Sequence, residues 1–174
     1  MRPQVVSLKK QAGLTLIEMA IVIVMAMIVI LGGMKIVPEI QFSLNSSKLT
    51  QDINEIRTAS LNWKASRPSF DGVAMSQICG SGRVLLAKSI CGVSNDGTAT
   101  APWGGDYTVT ANAGDKSILE ISVDGLPNHR IFDLGDTLAA LTRDRCTSVT
   151  GCASATVSGE SITPGYTADM TLRF

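Results

Sequence analysis

Histidine is nearly missing from this chain: His129, beside a Pro127-Asn128 turn, is the one example among 174 residues. No G-x-S-x-G, H-E-x-x-H or Walker pattern accompanies it, so the residue sets that assemble a serine nucleophile, a zinc hydrolase or a phosphate cradle are lacking. His129 therefore reads as a surface or capping histidine and not as a general base. Asp133, Asp136 and Asp144 follow helical spacing only loosely and read as a solvated face, and Asn95-Asp96-Gly97 is a turn signal far short of a calcium loop. An excess of charge of one sign is lacking too. The 15 basic side chains balance 15 acidic ones, which leaves no electrostatic footprint for nucleic acid. Zinc spacing is missing as well, because Cys79-x11-Cys91 and Cys146-x5-Cys152 match no zinc signature. These absences point away from an enzyme, a metal centre or a bound cofactor.

The chain does have a long apolar run near its start. Residues 14–37 make a 24-residue hydrophobic segment, which as a helix extends about 36 Å and can cross a bilayer. No side chain in residues 19–34 is charged or strongly polar. Ahead of the run, Arg2, Lys9 and Lys10 stand with no acid among residues 1–13, and positive residues in that place hold their end of the chain on the cytoplasmic side. An ordinary secretory signal would have a shorter apolar core ending in a small-residue cleavage site. Here the core runs on to Lys35 and Pro38 without a convincing A-x-A. Glu18 is a further misfit, since a solitary carboxylate at the edge of a membrane helix is costly and calls for a functional reason.

Gly13-Leu14-Thr15-Leu16-Ile17-Glu18, between a basic leader and an apolar helix, resembles the class III signal of type IV prepilins. The resemblance implies that a membrane-embedded prepilin peptidase cuts between Gly13 and Leu14 and methylates the new amino terminus on Leu14. Losing the leader, residues 1–13, would leave 12 basic against 15 acidic side chains. A glycine before the cut has a physical rationale: its backbone can lie extended against a protease without steric conflict, so bulk at Gly13 should block cutting. The family reading of Glu18 is that, in a bundle of such helices, it meets the amino terminus of a neighbouring subunit. Breaking a buried pair by removing one partner costs about 3–5 kcal/mol, enough to enforce register even where the net stabilisation is small. Glu18 is thus an assembly residue. On this reading the apolar segment is first solvated by lipid in the inner membrane and then buried in a filament core.

Gly32-Gly33 and Pro38 weaken a helix locally and predict a kink or a melted turn near residues 32–38. Beyond Pro38 the chain turns amphipathic. Leu49, Ile53, Ile56, Ser60 and Trp63 recur at helical spacing as a buried stripe, while Lys48, Gln51, Asp52, Asn54, Glu55 and Arg57 fill the other face. The helix should stop near Arg67, because the residue before Pro68 is pushed out of the helical region. The expected layout is a helix over residues 14–66, its first part (14–37) membrane-spanning or filament core and its second (38–66) packed on a head, and one head domain over residues 67–174.

In the head, residues 75–79 and 83–90 could each form a turn or two of helix. Ala101-Pro102-Trp103-Gly104-Gly105 resembles the Pro-aromatic-Gly-Gly segment that precedes the first strand in type IVb pilins. Residues 106–111 and 117–123 alternate as a strand hairpin around Asn112-Ala113-Gly114-Asp115. Gly125-Leu126-Pro127-Asn128 punctuates the chain, and Asn128 is positioned to cap a helix running to about Arg143. Residues 155–158 and 168–174 are later strands. The fold class is therefore α+β: a long N-terminal helix packed on an antiparallel β-sheet head.

All four cysteines lie on the far side of the membrane from the basic leader, where an exported bacterial domain meets an oxidising compartment, so two disulfides are expected. Of three connectivities, Cys79 with Cys91 and Cys146 with Cys152 is favoured, since each bridge would staple a Gly/Ser-rich segment with little apolar content. The function this implies is the structural subunit, the major pilin, of a type IVb-like pilus for adhesion, aggregation or conjugation. It would polymerise with copies of itself, with the prepilin peptidase, the inner-membrane assembly machinery and lipid as its other partners. It would start as a single-pass inner-membrane precursor with a periplasmic head and finish in an extracellular filament. A minor pilin, a type II secretion pseudopilin, or a singly anchored periplasmic binding or enzymatic domain are the alternatives.

Overall fold

In a computed structural model, which describes residues 15–80, 86–159 and 167–174 and omits the side chains of Met34 and Lys35, helix begins one residue after Thr15. Helix α1 runs Leu16–Lys64 with no break at Gly32, Gly33 or Pro38. The melted turn expected near residues 32–38 is therefore not present. One proline deletes one backbone hydrogen bond, and the helix continues through it.

The chain divides into two units, Met1–Phe42 and Ser43–Phe174. In the first, α1 is long and apolar enough to cross a membrane, and its large side chains are outward-facing: Ile21, Val24, Ile28 and Leu31 are each more than half exposed. A helix that is apolar all round and exposed needs an apolar environment.

In the second unit, the rest of α1 buries Leu49, Ile53, Ile56, Ser60 and Trp63, the expected stripe, with Ala59 beside them. Asp52, assigned above to the solvent face, is instead only 5 % exposed, because the hydroxyl of Tyr107 donates to its carboxylate at 2.9 Å. The helix ends two residues before the expected limit: Lys64 closes it and Ala65 takes a positive φ of 37°. Two short helices follow, α2 (Met75–Gly80) and α3 (Lys88–Cys91). Of the second helical turn expected over residues 83–90, residues 83–85 lie outside the described set.

The sheet contains β1 (Tyr107–Ala111), β2 (Leu119–Pro127), β3 (Ala155–Ser158) and β4 (Thr167–Arg173), in the order β1-β2-β4-β3 with every neighbour antiparallel. Its inner face is a core of Tyr107, Val109, Leu119, Ile121, Met170 and Leu172. Strand β2 carries on four residues past Val123, where the sequence suggested an end, because Gly125 at φ 69° absorbs a bulge between Val123 and Leu126 and pairing with β4 then resumes. Pro127 is tolerated as the last strand residue.

Asn128 does not cap a helix. It opens a 3-10 turn, Asn128–Arg130, and helix α4 follows over Ile131–Ala139 without a side-chain cap. That helix stops four residues short of Arg143 because the next groups are claimed elsewhere: the Thr142 hydroxyl donates to Ala139 O at 2.7 Å, and the Arg143 amide donates to Arg173 O of β4 at 2.9 Å. Gly135, a weak helix residue, has a packing reason. A Cβ there would lie 2.8 Å from Val149 Cγ1, so only glycine lets the loop between Cys146 and Cys152 lie against α4. Asp136 anchors the same loop, accepting from Ser148 Oγ at 2.9 Å and from the Val149 amide at 2.8 Å.

Candidate processing and assembly site

Four amides at a helix N-terminus have no partner within the helix. At the start of α1 two of them are met by a reciprocal arrangement: the Thr15 amide and hydroxyl donate to Glu18 Oε2 at 2.8 and 3.0 Å, while the Glu18 amide donates back to Thr15 Oγ1 at 3.4 Å. This is a capping box. The sequence places Glu18 where the partly positive first turn of an isolated helix favours a carboxylate, and in a bundle opposite a neighbour's amino terminus, but its T-x-x-E pairing with Thr15 was not read. Within the chain the carboxylate already has a partner, and the acid is held at the helix end, beside the positive pole of the helix dipole. Gly13 and Leu14, the residues assigned to cleavage and methylation, lie outside the described residues.

The cysteines pair as Cys79–Cys91 and Cys146–Cys152, with Cα separations of 5.6 and 5.9 Å. The first joins α2 to α3, and the second closes the loop that packs on Gly135. Among the described residues no group of three His, Cys, Asp or Glu side chains is arranged to hold a metal. His129 is exposed on its 3-10 turn.

Sequence reasoning missed the polar contact that fixes α1 to the sheet. Asp52 is buried against the Tyr107 hydroxyl, with Lys48 Nζ 3.9 Å away. Burial pushes the Asp52 carboxyl above an aspartate's ordinary 3.8, partly offset by the Tyr107 hydrogen bond and by Lys48. Burial and the Asp52 charge raise the Tyr107 phenol in turn, keeping it a donor. Because folded Asp52 holds its proton more tightly than the unfolded chain does, its contribution to stability is full below about 3.8 and is lost as pH rises through the raised folded value. Asp52→Asn keeps an acceptor for Tyr107 and removes this dependence. Thermal melts of the two proteins should therefore diverge in favour of the asparagine variant as pH climbs from 4 toward neutrality. Parallel curves would show that Asp52 titrates as if exposed.

Residues 8–34 match the family model described as the prokaryotic N-terminal methylation motif. No curated protein and no solved structure gave a match. The matched segment contains the capping box and more than half of the exposed apolar stretch, and it is followed by a four-stranded antiparallel sheet. Motif and fold together fit a membrane-anchored precursor and suggest a structural protein. Residues 8–34 thus carry the motif that is the class III signal of type IV pilins, and the long helix followed by an antiparallel sheet is an α+β pilin-like arrangement, which together support a type IV pilin-like or pseudopilin-like protein.

Proposed function

We propose that this chain is the major subunit of a type IVb-like pilus. The observation that carries the proposal is the methylation motif of residues 8–34 set on a helix whose large apolar side chains are exposed. The prepilin peptidase cuts between Gly13 and Leu14 and methylates Leu14. The precursor waits in the inner membrane with residues 14–37 in lipid and the head, residues 67–174, in the periplasm. The inner-membrane machinery then packs the helices of many copies into a filament on the cell surface. Glu18 exchanges or shares its Thr15 partner with the amino terminus of a neighbouring copy. The Cys79–Cys91 and Cys146–Cys152 bridges hold the head together outside the cell. The Pro102-Trp103-Gly104-Gly105 segment, together with leucine as the new first residue, favours the b class.

Shearing cells and sequencing the mature chain from the released filaments tests processing and assembly together. The expected result is an abundant protein beginning with methylated Leu14. A sequence beginning at Met1 would overturn the cleavage site. A chain cut at Leu14 but absent from filaments, or present only in traces, would identify a pseudopilin or minor pilin.

A further inference from the structure

The two ends of the head's sheet carry an excess of opposite charge. At the end where β1 starts, β2 bulges and β4 starts, Asp106 and Asp124 are linked through backbone and side-chain hydrogen bonds, and Asp169 faces Ser158 across β3–β4. Asp96 belongs to the same end, since the adjacent Gly97 carbonyl accepts the Tyr107 amide. Asp96, Asp124 and Asp169 are exposed. Three of these acids accept backbone amides, but among the described residues none is ion-paired with Lys or Arg.

The opposite end holds the β1–β2 turn, the C-terminus of α1 and the residues after α4. It is rich in cations, and three of them are stacked on rings instead of paired with acids. The Arg57 guanidinium lies 4.9 Å from the Phe174 ring centroid, Lys64 Nζ 4.5 Å from that of Phe70, and the Arg67 guanidinium 4.1 Å from that of Trp63. Stacking fixes the side chains while leaving their charge unneutralised. Arg143 is exposed beside them, its amide bound to Arg173 O. Four acids also lie at this end, fewer than its Lys and Arg side chains: Asp71, Asp115, Glu120, which pairs with Arg173 at 2.7 Å, and the exposed Asp144 beside Arg143. Lys116 sits 3.5 Å from Asp71, and Asp115 accepts from the Ser117 amide and hydroxyl, with Arg143 and Lys64 nearby.

Each end taken alone repels itself. Placed against each other in two copies, the ends relieve that repulsion, and complementary potentials of this kind fix register and reject wrong pairings. We infer that the acidic sheet end of one head docks against the basic end, around Arg57, Lys64, Arg67 and Arg143, of a second copy of this chain. The inference rests on the homopolymer reading and adds to it the faces by which successive heads meet. The partner is a second copy because both complementary surfaces belong to one chain, one per end, which is the arrangement of a head-to-tail contact.

The test uses full-length chain in cells that make the wild-type filament, with sheared-filament yield as the readout. Asp169→Lys reverses charge at the acidic end, and Arg143→Glu at the basic end. Among the described residues neither side chain makes a hydrogen bond or a salt bridge, and both are exposed, so folded precursor, checked by its closed disulfides, should accumulate normally. Each single reversal is expected to lower the yield by about tenfold, and the double reversal to restore it to within about twofold. Wild-type yield from both single variants would overturn the docking while leaving the homopolymer standing, because filaments still form. A double variant as poor as the singles, with folded precursor present, would overturn it as well. If the Arg143→Glu filaments were normal but bound surfaces less well, the basic end would be assigned to an outside anion and the docking rejected. Wild-type chain that never enters filaments would refute the homopolymer reading and the docking with it.

Discussion

Alanine at Gly105 is expected to prevent the head from folding. A Cβ there would lie 1.9 Å from the Asp124 carbonyl oxygen and 2.6 Å from its carbon, and both are backbone atoms that cannot swing aside. The close approach is mutual, because a Cβ on Gly125 would lie 2.8 Å from Gly105 Cα. It is also tied on both sides: the Asp106 amide donates to Asp124 Oδ1 at 2.5 Å and the Asp124 amide donates to Asp106 O at 3.3 Å. Relieving the clash means prising β1 from β2 at this end. That withdraws Tyr107 from its Val123 partner and from Asp52, and so loosens α1 from the sheet. A cost above about 4 kcal/mol is expected, against a total stability of about 5–15 kcal/mol for a domain. Circular dichroism and non-reducing gels of Gly105→Ala should show loss of sheet and scrambled disulfides. At the neighbouring Gly104 a Cβ meets nothing within 4 Å, and alanine there should be tolerated apart from the strain of its φ of 87°, about 1 kcal/mol. A native-like melting curve for Gly105→Ala would mean the two backbones can separate cheaply.

The second large effect is expected at Glu18, and two substitutions separate its two partners. Glutamine at this position can keep the capping box, since Glu and Gln both serve at the third helical residue, but it cannot pair with an ammonium as a charge. Alanine loses both interactions. If charge pairing between copies governs assembly, Glu18→Gln and Glu18→Ala should both insert in the membrane normally and both lower filament yield by at least tenfold, since removing one partner of a buried pair costs about 3 kcal/mol or more. Filaments from the glutamine variant at wild-type yield, alongside failure of the alanine variant, would transfer the role of Glu18 from the neighbour's amino terminus to Thr15 of its own chain. Immunoblots of membranes and of sheared fractions measure both quantities.

The legible parts of this fold are those encoded over short distances. The stripe Leu49, Ile53, Ile56, Ser60 and Trp63 obeys helical spacing and is buried as read. The hairpin of β1 and β2 follows from alternation around a turn whose Asn112 side chain accepts the Gly114 and Asp115 amides. The motif at the N-terminus depends on order and residue type, which a sequence displays directly. What was not legible depends on partners far away in the chain. Asp52 looks like a surface acid until Tyr107, 55 positions later, arrives against it. Gly135 looks like a flaw in a helix until Val149 is seen lying on it. Helix α4 looks longer than it is, because nothing near Arg143 announces that Arg173 O will take its amide.

Both bridges are local, spanning 12 and 6 positions, and they join cysteines that are consecutive in the chain. If the N-terminal helix stays in the membrane while the rest of the chain crosses in order of synthesis, Cys79 emerges first, then Cys91, then Cys146 and Cys152. An oxidant that simply joins each new thiol to the one waiting before it produces the native pairing, so the head needs no isomerase to correct its disulfides. Its covalent frame can be complete before the last strand, β4, has emerged to close the sheet.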